Sequence, residues 1–590
     1  MPRRQHRQRL SWTCAAAVTV AVSTISLTGA PQAAQQRGSA RRFIVVARSA
    51  SDVEALRAEV VSSGGAIATD LSQIGVFAVT GSDALRERLR TSVFTAGVGT
   101  DHIVRLINPA HSKEMFNIGA TLGGNPPPGF SLRRSITADP AFSLAGLMWS
   151  IQRIDAPGAW KSTLGSSTVK VGVADTGLDF THVELASRIV DVVDFTTTED
   201  PPICSTFFGA SDADLAGLFG GPEKTDWNGH GSWIGGNIAA ALDGQGVNGI
   251  APKVGLVALK ISQWCGAAYD SEIIAAFLYA ADHGIDAVNI SFGGYLDRTD
   301  PDQDLIYSQY ISAVRYARNH GTTIVAAAGN EHVRVGAGGL VLSHGSLTLP
   351  GDALVDLFGQ YEVPGGIPGV INVSSSNNVV NAPDPACPAG STTGDFPVCK
   401  PTSDAHQPKG VGRQDQLAYY SNYGPRIDVA APGGARKFNL PGYDRGGTPG
   451  FPYTVADDFN AWQDFSITSN WAVEIPCFVF TGGGFPANQC YSTIQGTSMA
   501  APHATAVVAL IASAVPLVRH FPPIIEVWLK ATATNASNRT QPLSATDTSA
   551  GDLTGVACAT GYCHLGGAAI SDREAYGAGV INAKNAVRPF

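Results

Sequence analysis

The sequence predicts an α/β protein: a large domain on a mostly parallel sheet covered on both faces, preceded by a small α+β unit. Three observations predict it. Apolar runs at 169–174, 254–260, 287–290 and 323–327 alternate with helical segments at 271–283 and 311–320. Strand-helix alternation of this kind favours a parallel sheet. The first run ends at Asp175 and the last leads to Asn330, and function in such folds sits at the carboxyl ends of strands. The composition, 44% hydrophobic and 15% charged over 590 residues, can bury a large core. A net charge of −9 with no basic stripe excludes a nucleic-acid binder.

Taken in chain order, Arg3, Arg4, Arg7 and Arg9 precede an apolar stretch at 10–27, and small residues surround Ala30, Ala33 and Ala34. This is the pattern of a signal peptide over 1–34; an uncleaved anchor is the alternative. No later run is long and apolar enough to span a membrane. The secreted chain is therefore expected outside the cytoplasm: extracellular, cell-surface or periplasmic.

Residues 41–108 read as a separate unit. Phe43-Ile44-Val45-Val46 is a short buried strand, and Ser51-Asp52-Val53-Glu54 has capping-box spacing. Val53, Leu56 and Val60 recur at helical spacing until Gly64-Gly65. A strand at 74–79, a helix carrying Ala84, Leu85 and Leu89, and strand material at Val93-Phe94 and Ile103-Val104 follow. The order β-α-β-β-α-β suggests a ferredoxin-like α+β fold. Residues 109–142 include Gly123-Gly124-Asn125-Pro126-Pro127-Pro128-Gly129 and read as an exposed linker in which processing falls. Residues 143–590 form the large domain.

Cys14 lies in the apolar N-terminal stretch. The other cysteines suggest disulfides between near neighbours: Cys387 with Cys399, Cys477 with Cys490 and Cys558 with Cys563, leaving Cys204 with Cys265. Free buried thiols are the alternative. Zinc is disfavoured, because no CxxC occurs.

The chemistry is concentrated in three segments. Gly496-Thr497-Ser498-Met499-Ala500-Ala501-Pro502-His503 places a serine at the entrance of a buried helix. A helix N-terminus presents N–H groups and partial positive charge there, and a proline in the first turn costs little. A serine hydroxyl needs a base within hydrogen-bond reach, and the base needs an orienting partner. His230, in Asn228-Gly229-His230-Gly231, is the candidate base, and Asp175, in Asp175-Thr176-Gly177, the candidate orienting carboxylate.

These strings, in the order Asp, His, Ser, resemble the subtilisin-like serine proteases, for which that order is the known one. The resemblance runs from Met148 to Val587 and includes Tyr420-Ser421-Asn422-Tyr423-Gly424 and Gly577-Ala578-Gly579-Val580-Ile581-Asn582. It implies a subtilisin-like three-layer fold. It also implies a secreted serine endopeptidase made as a zymogen, with 41–108 as the inhibitory propeptide. Its partners would be protein or peptide substrates and its own propeptide, and it would act as a monomer. Ala326-Ala327-Ala328-Gly329-Asn330 is similar to the oxyanion segment, so Asn330 would bind the developing negative oxygen. Ser291, Phe292, Gly293 and Gly294 would pair with an extended peptide and, with Gly329, wall the primary specificity pocket. Nothing in those motifs demands a charge, so a bulky apolar side chain is expected before the scissile bond. Calcium is a possible cofactor, not needed for the chemistry. Its carboxylates would be Glu184 and Asp243, with Gln245 adding an oxygen. Ser232-Trp233 stands where the family often has Thr-His.

Two stretches, 331–366 and 435–490, look inserted. The second carries Trp462, Phe465, Trp471, Phe478 and Phe480 and is expected either to rim the cleft or to be a packed surface excursion. A catalytically dead binding scaffold would lack a triad member, and none is missing. A Ser-Glu-Asp site would need Glu in place of His230, and a zinc protease would need HExxH.

Overall fold

The computed structural model describes residues 41–106, 148–200, 202–243, 246–348, 354–377, 415, 417–418, 420–434, 467–470, 491–536 and 570–588. The expected signal peptide, the linker, all of the second insertion but 467–470, and every cysteine except Cys204 and Cys265 lie outside them. Cys204 and Cys265 form a disulfide, as the pairing by near neighbours required.

The large domain is built on a seven-stranded parallel sheet. Its strands are β6 (Lys170–Asp175), β7 (Ile189–Asp194), β8 (Gly255–Lys260), β10 (Ala287–Ile290), β12 (Thr323–Ala327), β16 (Ile371–Ser376) and β17 (Val429–Pro432), in the order β17-β16-β12-β10-β6-β8-β7. Alternation along each strand decides what covers it. Val171 and Val173 of β6 and Leu256 and Ala258 of β8 face one apolar layer; Ala174, Val257 and Leu259 face the other. The first layer holds α3 (His230–Ala239) and α6 (Thr497–Ala514), the second α4 (Asp270–Asp282) and α5 (Pro301–Asn319). A three-layer α/β domain with a mostly parallel sheet results, as the alternation predicted. Each fully buried Val, Leu or Ile in these layers stabilises the fold by roughly 1.5–3 kcal/mol. α6 is apolar enough to cross a membrane, but 89% of it is buried in the core.

Residues 41–100 form a four-stranded antiparallel sheet, β1 (Arg41–Ala47), β2 (Ala66–Leu71), β3 (Val76–Gly81) and β4 (Thr95–Thr100), in the order β2-β3-β1-β4. Two helices, α1 (Val53–Ser62) and α2 (Asp83–Arg90), cover one face. Phe43, Val45, Phe77 and Val79 point at those helices. Ile44, Val76 and Ala78 point the other way and join Ile273, Phe277 and Tyr310 of α4 and α5. The capping box expected at Ser51-Asp52-Val53-Glu54 does not form: Ala50–Asp52 is a short 3-10 turn, and the Ser49 hydroxyl donates to Asp52 instead.

The last strand of this unit is not the one the sequence suggested. β4 carries Gly97 and Gly99, poor strand formers that hide it from pattern reading. α5 approaches them closely: a Cβ at Gly97 would lie 3.0 Å from the Leu305 side chain and one at Gly99 3.0 Å from the Asp302 carbonyl. Ile103-Val104 leaves the small sheet altogether. As β5 (Ile103–Leu106) it joins a separate antiparallel sheet in the order β15-β11-β5-β9, between β11 (Phe292–Leu296) and β9 (Ala267–Tyr269). The fourth member, β15 (Tyr361–Val363), belongs to the excursion after Asn330, which thereby returns beside β11. Two shorter ladders, β13 (Ser346–Thr348) with β14 (Leu354–Asp356) and β18 (Ile467–Asn470) with β19 (Tyr491–Ile494), complete the strands.

Candidate active site

Asp175 ends β6 with its side chain wholly buried. Its Oδ1 accepts from the Thr176 N–H at 2.8 Å and faces Nδ1 of His230, also at 2.8 Å. A buried carboxylate in that position fixes the imidazole so that Nε2 is the end left for chemistry. His230 opens α3 after Gly229, whose φ of 105° lies in the left-handed region. At the next position a Cβ on Gly231 would lie 2.0 Å from the Gly177 carbonyl. That contact admits only glycine, and it presses the turn after β6 against the start of α3.

Three further residues hold this turn; the sequence marked Ser232 only as a departure from the family pattern and did not single out Asp226 or Lys260. Asp226 accepts from the N–H groups of Asn228, Gly229 and Ser232 and from the hydroxyls of Ser232 and Thr176. Ser232 in turn accepts from the Asp179 N–H at 2.8 Å. Serine at 232 is therefore built into the site, and Trp233 beside it is fully buried in the core. Lys260, at the end of β8 and wholly buried, donates to the carbonyls of Thr176 (2.6 Å) and Ser262 (3.1 Å) and pairs with Asp212 at 2.8 Å. Burial opposes its charge, but Asp212 and Asp194 hold its pKa above the ordinary lysine value. The available signal was Asp226 two residues before Asn228, and a lysine ending an otherwise apolar strand.

Ser498 is the second residue of α6 and fully buried. The helix begins at Thr497, so the serine sits inside the first turn rather than before it. Pro502 stands one turn in, not in the first turn as expected. It has no N–H for the Ser498 carbonyl, and that carbonyl accepts from the Ser291 hydroxyl at 3.3 Å instead. α6 packs along α3, with Asn237 Nδ2 and His503 Nε2 3.4 Å apart, so the helix starts bearing Ser498 and His230 belong to neighbouring helices. Asn330 follows β12. Its side-chain Oδ1 accepts both the N–H (3.0 Å) and the hydroxyl (2.8 Å) of Thr497. The carbonyl end of the amide is thus turned to the helix start that bears Ser498.

The strand that sequence reading assigned to substrate lies in β11. Phe292 stands opposite Leu106 and Gly293 opposite Arg105 in antiparallel register. Gly294 faces Val104 of β5, which would lie in ordinary contact, 3.4 Å from a Cβ built there. Gly329 has a φ of 95°, and a Cβ there would meet the Asn422 amide at 2.3 Å. An extended segment of this chain therefore lies along the edge expected to bind peptide.

The two carboxylates expected to hold calcium sit in different settings. Glu184 is buried, but its Oε1 accepts from the Tyr491 hydroxyl (2.8 Å) and the Val247 N–H (3.2 Å), donors that compete with a cation. Asp243 is exposed, and Gln245 lies outside the described residues. Among the described residues no group of three His, Cys, Asp or Glu side chains could hold a metal. Chelator treatment is therefore expected to leave Tm unchanged. A fall of several degrees, reversed by calcium and not by magnesium, would restore the ion.

A parallel-sheet α/β protein carrying aspartate, histidine and serine in that chain order, at a strand end and at the starts of two packed helices, has subtilisin-like architecture. The chain belongs to the subtilase family, whose family model matches residues 166–551. It is similar to thermitase from Thermoactinomyces vulgaris, 30% identical over 193 residues, covering 32% of this chain and 57% of thermitase. It is also similar to Subtilisin Savinase from Lederbergia lenta, 33% identical over 183 residues, 31% of this chain and 55% of the relative. Fervidolysin from Fervidobacterium pennivorans is 24% identical over 425 residues, 70% of this chain and 44% of that protein. The matched stretches thus span between 44% and 57% of these relatives' own length. Among solved structures, the fold is shared with fervidolysin (TM-score 0.56, 19% identity, 95% of this chain and 62% of that one). It is shared too with the epidermin leader peptide processing protease of Staphylococcus aureus (TM-score 0.55, 16% identity, 93% and 98%).

Proposed function

We propose that this chain is a secreted serine endopeptidase made as a self-inhibited zymogen. The observation that carries the reading is the 2.8 Å contact between Asp175 and His230 Nδ1, beside a helix start that bears Ser498 and is held by Asn330. His230 Nε2 takes the proton of Ser498 Oγ as that oxygen attacks the scissile carbonyl carbon. The negative oxygen that forms is met by the Asn330 amide and the N–H of Ser498. His230 passes its proton to the leaving amine, the C–N bond breaks, and an ester on Ser498 remains. Water, deprotonated by the same imidazole, cleaves the ester. Asp175 keeps its charge throughout and stabilises the imidazolium. The test is labelling with a serine-directed fluorophosphonate: the modified peptide maps to Ser498 and disappears in Ser498→Ala. Label on another residue, or full proteolysis by the variant, would reject the assignment.

The unit of residues 41–108, described over 41–106, is proposed as the inhibitory propeptide, with a ferredoxin-like topology supported by the strand order β2-β3-β1-β4 and two helices on one face. Three contacts support the role. Asp101 accepts from the N–H and hydroxyl of Ser271 at the start of α4, where a carboxylate is favoured. Arg86, Arg90 and Thr100 bind Asp302 at the start of α5. β5 occupies the peptide edge of β11. The Cys204–Cys265 disulfide supports an oxidising compartment, and so secretion.

The docked interface predicts a pH effect. Arg42, 6% exposed, lies 2.8 Å from Asp101 and 3.6 Å from Glu272 and reaches the Thr198 carbonyl. Burial pushes the carboxyl of Glu199 up to about 7 and that of Asp270 up to about 8. Carboxyls raised in this way hold their protons in the docked state, so docking weakens as pH rises through that window, while burial, which lowers the His102 pKa, weakens it on the acid side. Release of the cleaved N-terminal unit is expected to accelerate as pH rises from about 6 to 9, and Arg42→Ala to accelerate it further. Release at one rate across that range would remove this account.

A further inference from the structure

The excursion after Asn330 brings two carboxylates beside the strand and the glycine expected to wall the specificity pocket. β15 pairs with β11 so that Glu362 stands opposite Tyr295 and Val363 opposite Gly294. β11 thus has the peptide-like β5 on one edge and Glu362 on the other. The Glu362 side chain turns under the segment that carries Gly329 and Asn330. A Cβ built on Gly365 would lie 2.3 Å from Glu362 Oε1 and 3.1 Å from the Ala327 carbonyl. Glu331 closes the same space from the Gly329 side: a Cβ on Gly329 would lie 2.8 Å from Glu331 Oε2 and 3.0 Å from the Tyr295 hydroxyl. Tyr295 and the Asn330 N–H donate to Glu331 at 2.5 and 2.8 Å.

The lining is rich in acceptors and short of donors. Glu362 is 4% exposed, and its Oε2 accepts from Asn372 Nδ2 at 3.3 Å. Among the described residues, Glu362 Oε1 and Asn372 Oδ1 have no donor. The guanidinium of Arg426 is committed elsewhere, to Asp428 and to the carbonyls of Gly366, Ile367 and Val370. A buried carboxylate oxygen without a donor is costly. A ligand that brings several N–H groups and a positive charge removes that cost, while an apolar group leaves it in place.

We propose that Glu362, with Glu331 beside it, makes the pocket for the residue preceding the scissile bond selective for lysine or arginine. This rests on the peptidase reading above and replaces the bulky apolar preference expected from the motifs alone. Those motifs line the walls; the carboxylates arrive from β15 and from the residue after Asn330. Burial pushes the Glu362 carboxyl up to about 8, Arg426 pulls it down and Glu331 pushes it up again. An entering ammonium or guanidinium shifts that balance to the ionised form.

The test is a panel of peptides that differ only in the residue before the cleaved bond: Lys, Arg, Phe and Leu. The secreted wild-type enzyme is expected to show kcat/KM for Lys or Arg at least about tenfold above Phe. Glu362→Gln is expected to lower that ratio about tenfold or more, mainly through KM, and Glu331→Gln by a smaller factor. A wild-type preference for Phe or Leu, or a ratio moved by neither substitution, overturns the specificity and leaves the peptidase reading standing. Cleavage of no peptide together with no fluorophosphonate label overturns the peptidase reading, and this inference with it. The wild-type panel decides the matter even if Glu362→Gln fails to accumulate.

Discussion

Ser498→Ala is expected to lower kcat by about 10⁶-fold, the size of loss known for the corresponding change in subtilisin, a member of this family. The loss is that large because the hydroxyl, the imidazole and the carboxylate act as one unit, so removing any nucleophilic route removes the whole. Fold stability should barely move. The Ser498 backbone still starts α6, and its carbonyl still receives the Ser291 hydroxyl. The chain should therefore accumulate folded and unprocessed, with residues 41–106 still covalently attached. Asn330 separates the contributions. In subtilisin, loss of its oxyanion asparagine costs about 10²–10³ in kcat. Here Asn330→Ala would also strip the Thr497 N–H of its acceptor, an effect comparable to losing a helix cap, about 1 kcal/mol. Asn330→Asp keeps the acceptor and loses the donor, so kcat should fall while Tm holds. If the aspartate variant loses as much Tm as the alanine variant, the two roles are not separable and Asn330 is mainly a brace. The measurements are single-turnover cleavage of a peptide and thermal melts on the same preparations.

The parts of this site that were legible in the sequence are those whose chemistry is written locally. GTSMAAPH, NGHG and DTG each fix a residue type, a turn and a helix start within a few positions. The four central strands of the parallel sheet, β12, β10, β6 and β8, were legible because they are continuous apolar runs buried on both faces. What was hidden depends on contacts far apart in the chain. Gly97 and Gly99 make β4 unreadable as a strand, yet they let α5 approach closely. Ile103-Val104 has ordinary strand character, and nothing local says that it leaves its own sheet for β11. Asp226 gathers N–H groups from a loop that pattern reading treats as a flexible glycine turn. Glu362 lies in what reads as an insertion, and only the β15–β11 register shows that it lies beside the cleft.

The second large effect is expected at Lys260, which nothing in the motifs announces. Lys260→Met should destabilise the protein by about 3–5 kcal/mol, because one half of a buried ion pair is removed and Asp212 is left without its cation. The side chain is wholly buried, so no solvent replaces it. Methionine fills most of the volume, which keeps cavity formation small and isolates the electrostatic loss. Activity should fall as well, by a route that stability alone does not explain. Lys260 holds the Thr176 carbonyl at 2.6 Å, and the Thr176 N–H and hydroxyl hold Asp175, Asp226 and the N–H of Gly231. Freeing that carbonyl loosens the turn that sets the angle between Asp175 and His230, so kcat should fall with KM little changed. Adding Asp212→Leu removes the orphaned carboxylate, and the double variant should regain most of the lost stability. It should not regain kcat, since the Thr176 carbonyl still lacks its donor. Urea unfolding of the single and double variants beside the wild type, with kcat on one peptide, distinguishes these effects. A Lys260→Met midpoint within about 1 kcal/mol of wild type would show that the pair is not a structural anchor. Full recovery of kcat in the double variant would show that the damage came from the orphaned charge and not from the turn.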